Sequence, residues 1–599
     1  MPNYKAPLRD MQFVLHEVLN AEAHYKRLYG TDDVNRETID AILEQAAKFA
    51  ENELAPLNRS GDEEGCEINN GVVTTPKGFK EAYTKYVENG WASLAAPSEY
   101  GGQGLPLSLG GAVSEMWGTS NWSWSMYPGL SHGAVNTLEA HGSEEQKQTY
   151  LTKLISGEWT GTMCLTEAHC GSDLGILRSK AEPQADGSYQ ITGTKIFISA
   201  GEHDMADNIV HIVLARLPDA PKGTKGISLF IVPKFLPKAD GRVGERNGVV
   251  CGSIEHKMGI KASATCVMNF DKATGYLIGE PNKGLNAMFV FMNTARIGTA
   301  LQGVCAAELS FQGALTYAKD RIAMRSLSGP KTPEKEADPI IVHADVRRML
   351  LTQKAFAEGG RMLCSYLYQL ADAVHLAEDE KERQNADNMM AFITPIAKAF
   401  CTEAGLEAAN HGVQVFGGHG FIREWGMEQI VRDTRIATLY EGTTGIQSLD
   451  LLARKVLMNQ GAFLRNFIAE ITQFCVNAGE SEALKEFTQP LAAAIKEWGD
   501  VTMQIGMKAM QNQEEVGGAA VDYLMYSGYI TLAYMWSLMA AKAQQALAAG
   551  TAEEGFYKAK IATARFYFKR ILPRAISHKI ALEAGVACLL DLDADDFAA

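Results

Sequence analysis

Apolar residues recur at three- and four-residue spacing from about residue 9 to residue 160, with few β-branched runs, a pattern that predicts helices broken by loops. Ser143 and Gln146 have the spacing of a capping box, and Tyr150, Leu151 and Leu154 follow on one helix face. The stretch Pro97–Pro106, with three glycines and two prolines, reads as loop. From about 161 to 283 the period shortens to that of strands: Tyr189–Thr192, Lys195–Ser199, Ile209–Leu214 and Ile227–Val232 alternate with turn signals. After Gly284 the helical period returns and persists to the end.

The expectation is a mainly α protein with an inserted β domain. A helical N-terminal domain would occupy 1–160 and an antiparallel β-barrel or sandwich 161–283. A helical bundle would follow over 284–455, and an additional C-terminal helical domain over 456–599. The longest quasi-apolar stretch, Gly528–Ala541, falls short of the ~20 residues that span a bilayer and predicts a buried helix.

Composition narrows the function classes. A chain of 599 residues with 46% hydrophobic content exceeds one core and should form several domains. A formal charge of −15 without a basic stripe argues against a nucleic-acid partner, since such partners need clustered Lys and Arg. The ten cysteines include no Cys-x-x-Cys pair and no Cys/His cluster at metal-ligand spacing, so no metal site is expected and a reducing cytoplasm fits best. The opening residues lack the basic and apolar segments of a secretory signal.

Gly129-Leu-Ser-His-Gly133 matches the hydrolase nucleophile elbow, but Pro128 precedes it where a buried strand is required, which argues against Ser131 as a nucleophile. No Gly-x-Gly-x-x-Gly follows a strand and no Walker sequence occurs. Three other segments stand out. Met163-Cys-Leu-Thr-Glu-Ala-His-Cys-Gly-Ser-Asp173 can offer backbone N–H groups and hydroxyls to a ring edge or phosphate, or serve as a polar connection. Gln414-Val-Phe-Gly-Gly-His-Gly-Phe421 admits close backbone approach, or simply turns between helices. Arg432-Asp-Thr-Arg-Ile-Ala-Thr-Leu-Tyr-Glu-Gly-Thr-Thr-Gly-Ile-Gln447 ends an apolar run on a carboxylate, which is either solvated or held in an apolar pocket as a general base.

In order and spacing the three segments resemble those of the acyl-CoA dehydrogenase family over roughly residues 40 to 455. That resemblance implies an FAD enzyme that desaturates an acyl-CoA thioester, with Glu441 as the base. It implies flavin contacts from Met163, Leu165, Thr166, Ser172, Phe197, Ile198, Ser199, Gln414, Gly417, Gly418 and Thr443. Arg321 would reach the pyrophosphate of a neighbouring subunit's FAD, so a homodimer is implied. Ser172, Asn293, Arg296 and Gly442 would approach the substrate. An electron-transfer flavoprotein is the implied acceptor, and fatty acid β-oxidation the implied role. Ala168-His-Cys170 and Gly445 depart from the family pattern. The length, helical tail and opening Tyr4–Asp10 resemble a bacterial subgroup that includes fatty acyl-CoA dehydrogenases and enzymes acting on 3-methylthiopropanoyl-CoA. The rivals are an acyl-CoA oxidase, a catalytically silent acyl-CoA-binding relative, against which the presence of Glu441 argues, and a serine hydrolase using Ser131.

Overall fold

The apolar run Ile209–Leu214 lies in a strand buried along its whole length, Asn208–Ala215. Such a strand needs cover on both faces, and it has it. Val210, Ile212 and Leu214 join a core shared with helical residues such as Ala134, Leu138 and Leu154, whereas Val213 and Ala215 join a second core with Ile191, Cys266 and Met268. The period of two along the strand thus separates two cores.

The computed structural model describes residues 3–599. The chain divides into two units, residues 45–298 and residues 1–44 with 299–599.

In the first unit a hairpin of β1 (Glu67–Asn69) and β2 (Val72–Thr74), not anticipated from the helical text, interrupts the helices. Helices α1 (Leu107–Ser120) and α2 (Trp122–His141) follow. The capping box forms as expected: Gln146 N–H donates to Ser143 Oγ at 3.2 Å, and Ser143 N–H to Gln146 Oε1 at 3.0 Å. Strands β3 (Trp159–Cys164), β4 (Lys180–Pro183), β5 (Tyr189–Ser199), β6 (Asn208–Ala215) and β7 (Ser228–Pro233) precede a small β8 (Phe235–Pro237) and β9 (Val243–Arg246) pair. Strands β10 (Val249–Ile254) and β11 (Thr265–Ile278) complete the set.

The main sheet runs β3-β6-β7-β11-β5-β4, with β10 also on β11. All its pairs are antiparallel except β3–β6, which is parallel. The two runs read as Tyr189–Thr192 and Lys195–Ser199 form one strand, because Gly193 and Thr194 keep pairing with β11 through its bulges.

Helix α3 (Gly284–Asp320) crosses the boundary between the units at Gly298 and Thr299. The second unit continues with α4 (Ala344–Leu376), α5 (Glu380–Phe416), α6 (Met427–Arg435), α7 (Thr444–Leu449), α8 (Lys485–Gln511), α9 (Glu514–Ala548) and α10 (Glu554–Phe566). Helices α3 and α5 touch backbone to backbone: a Cβ on Gly303 would lie 2.0 Å from the Cys401 carbonyl oxygen. The stretch Gly528–Ala541 is the buried centre of α9, and no helix among the described residues is long and apolar enough to cross a membrane. Phe392, Phe467 and Trp498 form an aromatic contact between α5 and the C-terminal helices.

Candidate active site

Strand β3 delivers Met163, and the chain then leaves the sheet through Leu165 and Thr166 into a tight turn. Glu167 and Cys170 close that turn by exchanging backbone hydrogen bonds of 2.9 and 3.0 Å. Glu167 and Lys195, neither weighed in the sequence reading, anchor the segment. The fully buried Lys195 Nζ donates to Glu167 Oε1 and to the Leu165 carbonyl, both at 2.9 Å. Glu167 also accepts from Arg178 N–H at 2.7 Å, Ser179 N–H at 3.0 Å and Ser179 Oγ at 2.7 Å. Burial alone would raise this carboxyl, but the Lys195 ammonium and these hydrogen bonds outweigh it and hold it at about 2. Lys195 is shifted down by burial, with Glu167 opposing.

The same strand, β5, ends in Phe197, Ile198 and Ser199. Ile196 N–H donates to the Thr166 carbonyl at 2.9 Å, and Thr162 Oγ1 to the Ser199 carbonyl at 2.6 Å. Thr166 and the Phe197–Ser199 segment are therefore brought together. Ile198 points into the core, whereas Phe197 is 61% exposed on left-handed backbone with φ +58°. A bulky residue there is strained by about 1–3 kcal/mol, and an exposed aromatic side chain recovers nothing from the protein itself. Ser172 is exposed beyond Gly171, whose added Cβ would sit 3.6 Å from Thr166 Cγ2. Among the described residues the hydroxyls of Thr166, Ser172 and Ser199 make no hydrogen bond.

On α3, Asn293 is exposed and Arg296 buried. Ser131 lies inside α2, where its Oγ accepts from Gly161 N–H at 3.0 Å, so no nucleophile elbow exists there. Glu167, His169 and Cys170 bring ligand-type atoms within 4.8 Å of one another. His169 Nε2 donates to the Ile176 carbonyl at 3.0 Å, so this histidine ties down the turn.

In the second unit, α5 ends at Phe416 and Gly417 leaves the helix with φ +60°. Gln414, Gly417 and Gly418 are exposed, and a Cβ on either glycine would meet nothing within 4 Å. Tyr317 fixes this turn: it stacks on Phe416 at 4.0 Å, and its hydroxyl lies 2.9 Å from His419 Nδ1. His419 stacks in turn on Trp425 at 4.7 Å. One helical turn past Tyr317 is the exposed Arg321, whose carbonyl accepts from Ile340 N–H at 2.8 Å.

Glu441 follows α6 and a short 3-10 turn. It stands at φ +57° and Gly442 at φ +90°, two consecutive left-handed residues. The Glu441 carbonyl accepts from the buried Gln447 Nε2 at 2.8 Å, and the Gly442 carbonyl from the buried Lys398 Nζ at 2.5 Å. Thr443 caps α7 by accepting from Ile446 N–H at 3.2 Å, and Thr444 Oγ1 donates to Glu403 Oε1 at 2.6 Å. Tyr440 OH donates to Gln302 Oε1 on α3. Gln447 Oε1 is buried without a hydrogen-bond partner among the described residues. Lys398 was legible only as a lone cation within the apolar text of α5.

Acyl-CoA dehydrogenase N-terminal, middle and C-terminal domain families match residues 36–158, 162–273 and 282–457, and the acetyl-CoA dehydrogenase C-terminal-like family matches 467–593. The chain is 44% identical to a 3-methylmercaptopropionyl-CoA dehydrogenase of Ruegeria pomeroyi, over 95% of this chain and 96% of that one. It is 34% identical to a butyryl-CoA dehydrogenase of Syntrophomonas wolfei, over 99% of both. The fold is shared with Caenorhabditis elegans ACDH-11 in complex with C11-CoA, at TM-score 0.78 and 20% identity over 95% of this chain and 91% of that one.

Proposed function

The chain belongs to the acyl-CoA dehydrogenase family, and from that premise we propose that it desaturates short acyl-CoA thioesters to trans-2-enoyl-CoA, with 3-methylthiopropanoyl-CoA as its preferred substrate. The observation that carries the reading is Glu441, a carboxylate held on left-handed backbone by hydrogen bonds to its own carbonyl and to the next one. Strain of that kind persists only where surrounding structure over-determines it.

The residues present fit FAD. Phe197 offers an uncovered ring face, and Thr166, Ser172 and Ser199 offer unspent hydroxyls. Gly417 and Gly418 leave space that no Cβ fills. In the first unit Met163, Leu165 and Ile198, and in the second Gln414 and Thr443, would likewise contact FAD. When bound, FAD would supply the acceptor for the hydride, and with it the two electrons, that leaves the substrate β-carbon. Arg321, exposed at the end of α3, would reach the pyrophosphate carried by a second copy of the chain, which makes the working form a homodimer.

Glu441 takes the α-proton as the carbon–carbon double bond forms. A carboxylate removes such a weak acid only if the thioester oxygen is hydrogen-bonded as charge develops on it, a role for backbone N–H groups near Glu441 and Gly442. Asn293, Arg296 and Ser172 would position the CoA thioester. Electrons would pass to an electron-transfer flavoprotein, in fatty acid or methylthio-acid breakdown in the cytoplasm.

Preference for the methylthio substrate is supported by the higher identity to the Ruegeria relative than to the butyryl-CoA enzyme. A thioether replaces one methylene of a five-atom chain, so discrimination against pentanoyl-CoA should be modest, about 1–3 kcal/mol for a change of this size. Anaerobic flavin bleaching against 3-methylthiopropanoyl-, butanoyl-, pentanoyl- and palmitoyl-CoA tests the proposal. The fastest bleaching is expected with the first. Palmitoyl-CoA as the best substrate would reject the assignment, and hydrogen peroxide formed in step with substrate loss would identify an oxidase.

A further inference from the structure

Two side chains of α5 grip the loop that carries Glu441, and the geometry points to both Lys398 and Glu403 as positioning residues for that base. The inference rests on the reading of Glu441 given above. Lys398 is fully buried in the middle of a long helix, a place where an ammonium is disfavoured unless it has a task. Its Nζ donates to the Gly442 carbonyl at 2.5 Å. Five residues along α5, Glu403 accepts from the Thr444 hydroxyl at 2.6 Å. A cation and an anion on one rigid helix thus hold the loop on either side of Thr443.

These ties fix direction as well as place. A peptide carbonyl and the N–H of the following residue point in opposite directions across a planar unit. With the Gly442 carbonyl turned to Lys398 and the Glu441 carbonyl turned to Gln447, the N–H groups of Thr443 and Gly442 are turned away from those donors. Left-handed φ at Glu441 makes this the arrangement most easily lost, because that residue, unlike Gly442, relaxes to ordinary φ once its carbonyl is released. The ends of α5 lie far along the chain from Glu441, so the helix acts as a fixed frame rather than a neighbour in sequence.

The test is steady-state kinetics of the flavin-loaded enzyme with butanoyl-CoA as probe. Lys398→Met and Glu403→Leu are each expected to lower kcat by about 100-fold, the effect of a small misplacement of a catalytic group, while KM stays within about threefold and bound flavin stays at wild-type level. Glu403→Gln keeps an acceptor for the Thr444 hydroxyl and is expected to retain most of kcat. Wild-type kcat in Lys398→Met overturns the proposal, as does a Glu403→Gln variant as impaired as Glu403→Leu. If Lys398→Met does not fold, the two Glu403 variants decide the question. Glu441→Gln run alongside separates the layers: turnover in that variant rejects the base itself, whereas an inactive Glu441→Gln beside active loop variants rejects only the positioning role.

Discussion

Glu167 and Lys195 form a buried ion pair of 2.9 Å that joins the turn after β3 to strand β5. Every predicted flavin contact in the first unit lies within a few residues of one or other partner: Met163, Leu165, Thr166 and Ser172 near Glu167, Phe197 to Ser199 near Lys195. Removing one partner of a buried pair leaves a charge without compensation, at a cost of about 3–5 kcal/mol. Glu167→Gln and Lys195→Met should each lower the melting temperature and the flavin retained through gel filtration. The double variant should lose less than the two singles combined. Strict additivity would show that the pair does not act as a unit.

The same pair sets an acid limit. The folded Glu167 carboxyl titrates at about 2, below its ordinary value of 4.5. Its stabilisation is therefore complete above pH 4.5 and is lost as pH falls from 4.5 towards 2. Acid unfolding followed by circular dichroism should begin at higher pH in Glu167→Gln than in the wild type. Superimposable curves would contradict the assignment.

Glu441→Gln keeps the shape of the side chain while removing its basicity. Turnover should fall by at least about 1,000-fold, the scale expected for loss of a general base, with flavin absorbance per protein unchanged. Activity within tenfold of wild type, measured on purified protein, would mean that another group takes the proton.

Gly442→Ala adds a Cβ 2.6 Å from Gln447 Nε2 on backbone at φ +90°. The side chain that must move is the one that holds the Glu441 carbonyl. We expect kcat to fall by about 100-fold, as a displaced catalytic group entails, with little loss of flavin. Gly418→Ala, where the added Cβ meets nothing within 4 Å, should perturb flavin affinity rather than proton transfer. The split is read from kcat at saturating FAD against the apparent Kd for FAD.

In the second unit, Asp10 near the N-terminus sits among charges from α3, α4 and α10. Arg361 and Lys560 both pair with it, Arg361 bonds Glu308 at 2.8 Å, and Lys560 bonds Glu358 at 2.8 Å. Burial would raise the Asp10 carboxyl, but the Lys560 and Arg361 charges dominate and hold it well below the usual carboxylate range. Asp10→Ala removes the carboxylate shared by two buried cations, which keep Glu308 and Glu358, and should cost about 3–5 kcal/mol, measured by denaturant unfolding. A loss below about 1 kcal/mol would place this network among the weak surface pairs instead.

The helix–β–helix order, the capping box at Ser143, the buried centre of α9 and the three motif segments were all readable along the chain. Each rests on residues close in sequence, so period, composition and spacing carry the signal. The loop from Tyr440 to Gln447 belongs with these, since its glycines and its acid are contiguous. What holds that loop was not readable. Lys398 and Glu403 lie some forty residues before their partners, and within a helix an isolated charge has no spacing that reveals its target. The Glu167–Lys195 pair spans 28 residues and the Tyr317–His419 contact 102. The parallel pairing of β3 with β6 escaped for the same reason, as strand text carries no record of its neighbour's direction. The motif resemblance could propose a base and flavin contacts. Only the packed chain, by placing distant donors against particular carbonyls, decided how each is held.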